Sequence, residues 1–170
     1  MTLGDFSSAR LESFMREAIG LAEAAATGGN YPIGAVVIDG DGPIARAASG
    51  LIKGCDPSAH PEMVAIRQAC EKRHSRYLKG AFLVTTLEPC PMCTSAAIWA
   101  QMNGIIYATT QDDAAELGRR LIGTQFTFRQ IKLRCEEVAR AGEPVLEIIE
   151  GVARREMLRV YDRFALSLGR

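Results

Sequence analysis

The amino-acid sequence predicts an α/β layered fold with a mixed sheet, on three observations. Short apolar runs suited to strands alternate with amphipathic stretches of helical period. An Asp-Gly turn joins the first two apolar runs as a hairpin, so the sheet contains an antiparallel pair. The chain has 170 residues, 48% hydrophobic, with no internal repeat, low-complexity tract or linker, which predicts one domain over residues 1–170 with a core of its own.

The elements follow in order. Residues 7–27 read as an opening helix: Ser7 or Ser8 caps it, Leu11, Phe14, Met15, Ala18, Leu21 and Ala22 form an apolar stripe, and Gly28-Gly29-Asn30 ends it. Strands are expected over 33–38 and 44–49, joined by Asp39-Gly40-Asp41-Gly42-Pro43. A turn-rich loop, Lys53–Ala59, leads to an amphipathic helix from Pro61 to about His74, with proline at the first helical position where its missing N–H costs nothing. Residues 81–87 read as a strand, 91–101 as a helix, and 105–109 as a strand. A short helix near 113–117, a loop through Phe128, a strand over 145–150 and a closing helix over 152–168 complete the chain.

Composition excludes several classes. Disordered, collagen-like and coiled-coil chains differ in Gly, Pro and charge content. Neither a signal peptide nor a run of roughly 18 apolar residues is present, which predicts a soluble cytoplasmic protein and no membrane partner. The five cysteines form an odd set without secretory context, so reduced thiols or metal ligands are expected rather than a disulfide framework. Basic and acidic residues number 20 each, but residues 1–118 hold 9 and 13 while residues 119–170 hold 11 and 7. The zero net charge offers no overall field to gather a polyanion, and the basic tail helix reads as a solvated face paired with its own acids.

Two segments carry chemistry: His60-Pro61-Glu62 and Glu88-Pro89-Cys90-Pro91-Met92-Cys93. Cys90 and Cys93 are spaced i, i+3 at the start of a predicted helix, so both sulfurs point one way, and the positive helix end favours their thiolates. With His60 they make three zinc ligands, the count of a catalytic site that leaves one position for water, whereas structural sites are closed by four. Glu62, two residues past His60, stands close to such a metal as the carboxylate that takes a proton from the water. His74 reads as a solvated cation at a helix end, Cys55 as a loop thiol, and Cys70 and Cys135 as small buried groups.

With His-x-Glu followed by Pro-Cys-x-x-Cys, the sequence resembles the cytidine deaminase-like superfamily of zinc enzymes. The resemblance runs from about Ile33 to Tyr107 and implies a three-layer α/β/α sandwich around a five-stranded mixed sheet, a homodimer, Zn2+ held by His60, Cys90 and Cys93, and Glu62 as proton shuttle. The implied reaction is hydrolytic release of ammonia from an amino-substituted nucleobase, nucleoside or related heterocycle. Pro32–Val36, Asp56–His60 and Thr86–Cys90 resemble two purine branches, the small guanine deaminases and the tRNA adenosine deaminases. Ala97–Ala100 and Asp113–Gly118 look more like the guanine branch, and the Arg-Asp-x-Lys-x-Gly-Ala stretch of the tRNA enzymes is missing. Asp113 then matches an aspartate that assists proton transfer, with a helix N-cap as the alternative; Trp99 is expected against a base, in a subunit contact, or in the core.

Two positions depart from the purine branches. Where they carry a base-contacting asparagine, this chain has Ser49, and where an alanine N–H meets the substrate ring, it has Pro61, which has no N–H. Both changes remove donors from the substrate pocket and point to a ring without an acceptor there, or one read by other groups. Two alternatives stand beside the small-molecule deaminase: a tRNA adenosine deaminase, and a non-catalytic interaction subunit stabilised by zinc. The presence of Glu62 argues against the last.

Overall fold

The computed structural model describes residues 2–40 and 42–169. Five strands form one sheet in the order β2-β1-β3-β4-β5: β1 (Gly34–Asp39), β2 (Gly42–Ala48), β3 (Phe82–Leu87), β4 (Gly104–Thr109) and β5 (Glu147–Ile149). β1 runs antiparallel to β2 and to β3, while β3, β4 and β5 run parallel. The expected hairpin and mixed sheet are both there; Asp41 of the joining turn lies outside the described residues.

The helices are α1 (Ser8–Thr27), α2 (Leu51–Gly54), α3 (Pro61–Lys72), α4 (Pro91–Trp99), α5 (Gln111–Arg120), α6 (Cys135–Ala141) and α7 (Arg154–Ser167). Period-2 alternation along the strands splits the core between the two faces of the sheet. Val36, Ile38, Phe82, Val84, Ile106 and Ala108 pack against α1 and α7. Ala35, Val37, Leu83, Ile105 and Tyr107 point the other way, toward α3, α4 and α6. The result is the α/β/α sandwich that the resemblance implies. Burying each large apolar side chain contributes about 1.5–3 kcal/mol, so both faces count. Gly34 lets α1 approach β1 closely: a Cβ there would lie 2.2 Å from the Ala18 carbonyl oxygen.

Several boundaries differ from the sequence reading. The helix expected over 91–101 ends at Trp99, and the strand expected over 145–150 is only Glu147–Ile149. The short helix near 113–117 is α5, Gln111–Arg120, because Thr110 caps it; Asp113 is the third helical residue, completing a capping box, and is not the N-cap. Two helices had no expectation. α2 is a single turn that starts between β2 and the turn-rich loop and runs into the loop's first two residues, and α6 is a seven-residue helix in the stretch between Phe128 and β5. Both are too short for periodicity to declare them.

The basic closing helix pairs across helices rather than along itself. Arg154 binds Asp113 of α5, Arg163 binds Glu23 of α1, and Glu156 accepts from Arg16 of α1. No helix among the described residues is long and apolar enough to cross a membrane.

Candidate active site

The topology brings two helix starts to one edge of the sheet. β2 and β3 are parallel across β1, so α3, connecting them, begins at the carboxyl edge that α4 leaves on its way from β3 to β4. That edge is where open α/β sheets place their ligands. His60 caps α3 and Cys90 caps α4, both in extended backbone, and each is followed by a proline at the first helical position. Glu62 and Cys93 follow inside the first turns. Both helix N-termini therefore aim their positive ends at the same group of side chains, which favours anions there.

The three ligand atoms converge. His60 Nδ1 lies 3.9 Å from Cys90 Sγ and 3.6 Å from Cys93 Sγ, and the two sulfurs are 3.6 Å apart. A tetrahedral ion with Zn–S near 2.3 Å and Zn–N near 2.0–2.1 Å has ligand edges of about 3.6–3.8 Å. The spacing and the soft donor set therefore fit zinc, with one position left over, and the three form a metal-capable group among the described residues. His74 is exposed at the end of α3 and takes no part, as expected. Cys55 is exposed, Cys70 half-buried and Cys135 buried; all five cysteines are free thiols.

Glu62 is buried, with its Oε1 accepting a 2.6 Å hydrogen bond from the Thr85 hydroxyl on β3 and its Oε2 3.6 Å from Cys93 Sγ. Burial pushes its carboxyl above the usual range, and the Thr85 hydroxyl and His60 oppose that rise. The hydrogen bond from Cys93, helped by His60, holds the Cys90 thiol down at about 4. The bond to Cys90 holds the His60 imidazole above its ordinary value. A bound dication favours the deprotonated form of each ligand.

These residues open on a cavity of about 520 Å3. His60, Glu62 and Cys90 line it on one side, Tyr31 and the segment 127–131 on another. The segment is tied down: the Thr127 N–H donates to Tyr31 Oη at 3.1 Å, and Gln130 Nε2 donates to the Gln111 carbonyl at 2.6 Å. The Phe128 ring meets Tyr31 edge-on at 4.9 Å.

The other expected site residues fall in different places. Pro61 is buried beside His60, where it has no N–H to offer. Ser49 is buried just past β2, and its hydroxyl is the one buried side-chain N or O atom without a hydrogen-bond partner among the described residues. Asp113 does not line the cavity; its carboxylate accepts from the Thr110 N–H and from Arg154 across to α7. Trp99 is 81% exposed at the end of α4, so it is neither a core residue nor part of this cavity.

The sequence reading passed over Glu88, although it stands inside the quoted motif. Its side chain is wholly buried and accepts from the Gln111 N–H at 2.9 Å, the Cys135 N–H at 3.1 Å and Arg134 Nε at 2.9 Å. Tyr31, Gln111 and the 127–131 wall also went unremarked. No local pattern marks such residues, since their partners lie 19 to 96 positions away: Gln130 and Gln111 are separated by 19, Thr127 and Tyr31 by 96.

A helix-capped His, two Cys and a buried carboxylate at the carboxyl edge of an α/β/α sheet define a mononuclear zinc hydrolase of the deaminase type. The chain belongs to the family described as the cytidine and deoxycytidylate deaminase zinc-binding region, whose model matches residues 8–109. It is 36% identical over 127 residues to guanine deaminase of Bacillus subtilis (strain 168), covering 74% of this chain and 80% of the relative. A tRNA-specific adenosine deaminase of Aquifex aeolicus (strain VF5) is 35% identical over 97 residues, 57% of this chain and 64% of that protein. The solved guanine deaminase from Nitrosomonas europaea superposes with a TM-score of 0.78 over 91% of this chain and 84% of that one; at 23% identity this likeness concerns the fold.

Proposed function

We propose that the chain is a zinc-dependent hydrolytic deaminase of amino-substituted purine-type heterocycles. The observation that carries this reading is the convergence of His60, Cys90 and Cys93 within zinc-ligand distance, with Glu62 buried beside them. In this reading the three residues hold the ion. When bound, zinc supplies a water acidified toward a pKa of about 7 and Lewis-acid polarisation. Glu62 takes a proton from the attacking water and carries it to the exocyclic nitrogen. The C–N bond then breaks, ammonia leaves, and the ring carbon keeps the oxygen. Thr85 holds the Glu62 carboxyl in one orientation through its 2.6 Å bond, and burial raises the carboxyl above the usual carboxylate range, which favours its taking a proton from water.

The relatives support a purine ring, one acting on guanine and another on adenosine in tRNA. Ser49 does not line the cavity, but its buried hydroxyl has no partner, which costs about 1–3 kcal/mol unless something else satisfies it, and in this reading a bound ring supplies that partner. Pro61 denies the ring an N–H at its side. Asp113 serves as a helix-linking carboxylate in this reading, and tRNA remains the second substrate class, supported by the tRNA deaminase relative. The test is ammonia release by the zinc-loaded protein over purines, pyrimidines, their nucleosides, triazines and tRNA. Activity on a purine-type ring that is lost with a chelator and restored by zinc is expected; no ammonia from any of them, or activity indifferent to chelation, would overturn the assignment.

A homodimer completes the reading, with the exposed indole of Trp99 under the second copy, and the five free thiols suit the cytoplasm. Sedimentation should give a dimer that Trp99→Arg converts to monomer. A wild-type monomer at micromolar concentration would remove the dimer from the proposal.

A further inference from the structure

The cavity wall at 127–131 contains one group whose placement the deaminase chemistry does not account for. Arg129 lines the same cavity as His60 and Glu62, and it makes no hydrogen bond or ion pair with any described residue. Its neighbours are all engaged. Thr127 is tied to Tyr31, Phe128 packs edge-on against Tyr31 and Tyr161, and Gln130 is tied to Gln111. The backbone on both sides of Arg129 is thus fixed, while its exposed side chain stands at the cavity wall with no partner within the protein.

The other charged groups lining the cavity are committed. Glu62 is bonded to Thr85 and stands beside the metal ligands, and Glu88 is satisfied by Arg134 and two backbone N–H groups. Elsewhere on the molecule, arginines 16, 46, 73, 119, 120, 154 and 163 meet carboxylates, whereas the exposed Arg140, Arg155 and Arg159 meet none, so what sets Arg129 apart is its place on the wall of the cavity that holds His60 and Glu62. Size points the same way. Cavities of roughly 300–1,000 Å3 take drug-sized ligands. At about 520 Å3 this one has room for a sugar and a phosphate beside a ring. A planar guanidinium with a fork of N–H donors is suited to phosphate oxygens.

We infer that Arg129 binds a phosphate monoester on the substrate, so that the preferred substrate is a mononucleotide rather than a free base or nucleoside. This rests on the deaminase reading above and specifies the ligand of that site. The phosphate takes no part in the reaction: water replaces the exocyclic amine, and ammonia is released as before.

The test compares guanine, adenine and cytosine, each as base, nucleoside and 5′-monophosphate, on the zinc-loaded protein and on Arg129→Ala. One charge-assisted contact corresponds to about tenfold in binding or in kcat/KM. For the ring that is turned over, the monophosphate should exceed its nucleoside by about that factor. Arg129→Ala should erase the difference and leave the nucleoside within about twofold of wild type. Calorimetry on a Glu62→Gln protein should show the same monophosphate advantage in binding, also abolished by Arg129→Ala. A nucleoside or base that serves as well as its monophosphate would overturn the inference while leaving the deaminase intact. So would an Arg129→Ala loss equal for both, or deamination of tRNA but of no mononucleotide. Absence of ammonia from all substrates would instead count against the deaminase reading, and the calorimetric comparison would still decide on Arg129.

Discussion

Glu62→Gln is expected to retain zinc and fold while losing about 10²–10⁴ of kcat, the range that positioned general acid–base groups contribute. The substitution is nearly isosteric, and the amide oxygen can still accept the Thr85 hydroxyl that now meets Oε1. Packing around a side chain that is 3% exposed is therefore kept. What goes is the ability to take a proton from water and return it to the departing amine. Burial makes the change informative for stability as well. A carboxyl whose folded pKa is raised by desolvation is costly to keep ionised, so removing its charge should not lower the melting temperature of the metal-free protein. Zinc content near one equivalent by metal analysis, an unchanged melting transition and lost ammonia release would together assign Glu62 to chemistry. Activity within about threefold of wild type would remove it from the mechanism and revive the interaction-subunit alternative.

The zinc half-sites were legible in the sequence because each ligand pair is local. His60 and Glu62 are two residues apart, Cys90 and Cys93 three, and a proline after each capping ligand marks a helix start. The strands were legible for a similar reason, as both faces of β3 and β4 are buried and read as continuous apolar runs. What the sequence concealed lies between Thr110 and Glu150. There α6 has only two buried residues in seven, β5 has three residues at the sheet edge, and the cavity wall at 127–131 is held by the Gln111 carbonyl of α5 and the Tyr31 side chain of the α1–β1 connection. None of these has a period of its own; each is set by tertiary partners. Trp99 fell outside expectation differently. As the chain's only tryptophan it was expected against a base, in a contact or in the core, and nothing in its neighbours shows that α4 ends with the ring turned outward.

The dependence on distant partners is greatest at Glu88, where Glu88→Ala should cost about 1–3 kcal/mol for each of the two buried N–H groups it leaves without an acceptor. The carboxylate joins three segments. It accepts from the first N–H of α5, from the first N–H of α6, and from Arg134, while its side chain is fully removed from solvent. Alanine leaves two buried N–H groups without acceptors and Arg134 with the Tyr107 hydroxyl and the exposed contact to Asp112 at 3.3 Å. Glu88→Gln should cost less, since the amide oxygen can still serve part of the set but the charge facing Arg134 and two helix N-termini is gone. Replacing both partners, as in Glu88→Gln with Arg134→Met, should recover part of the loss, because no guanidinium is then left facing a neutral group. Urea unfolding of the four proteins measures each step; a Glu88→Ala penalty below about 1 kcal/mol would show the network to be dispensable. The site should register the same change. Glu88 precedes Cys90 by two residues and fixes Gln111, which anchors the wall through Gln130. Glu88→Gln is therefore expected to raise KM more than it lowers kcat, separating the wall from the proton transfer that Glu62 performs.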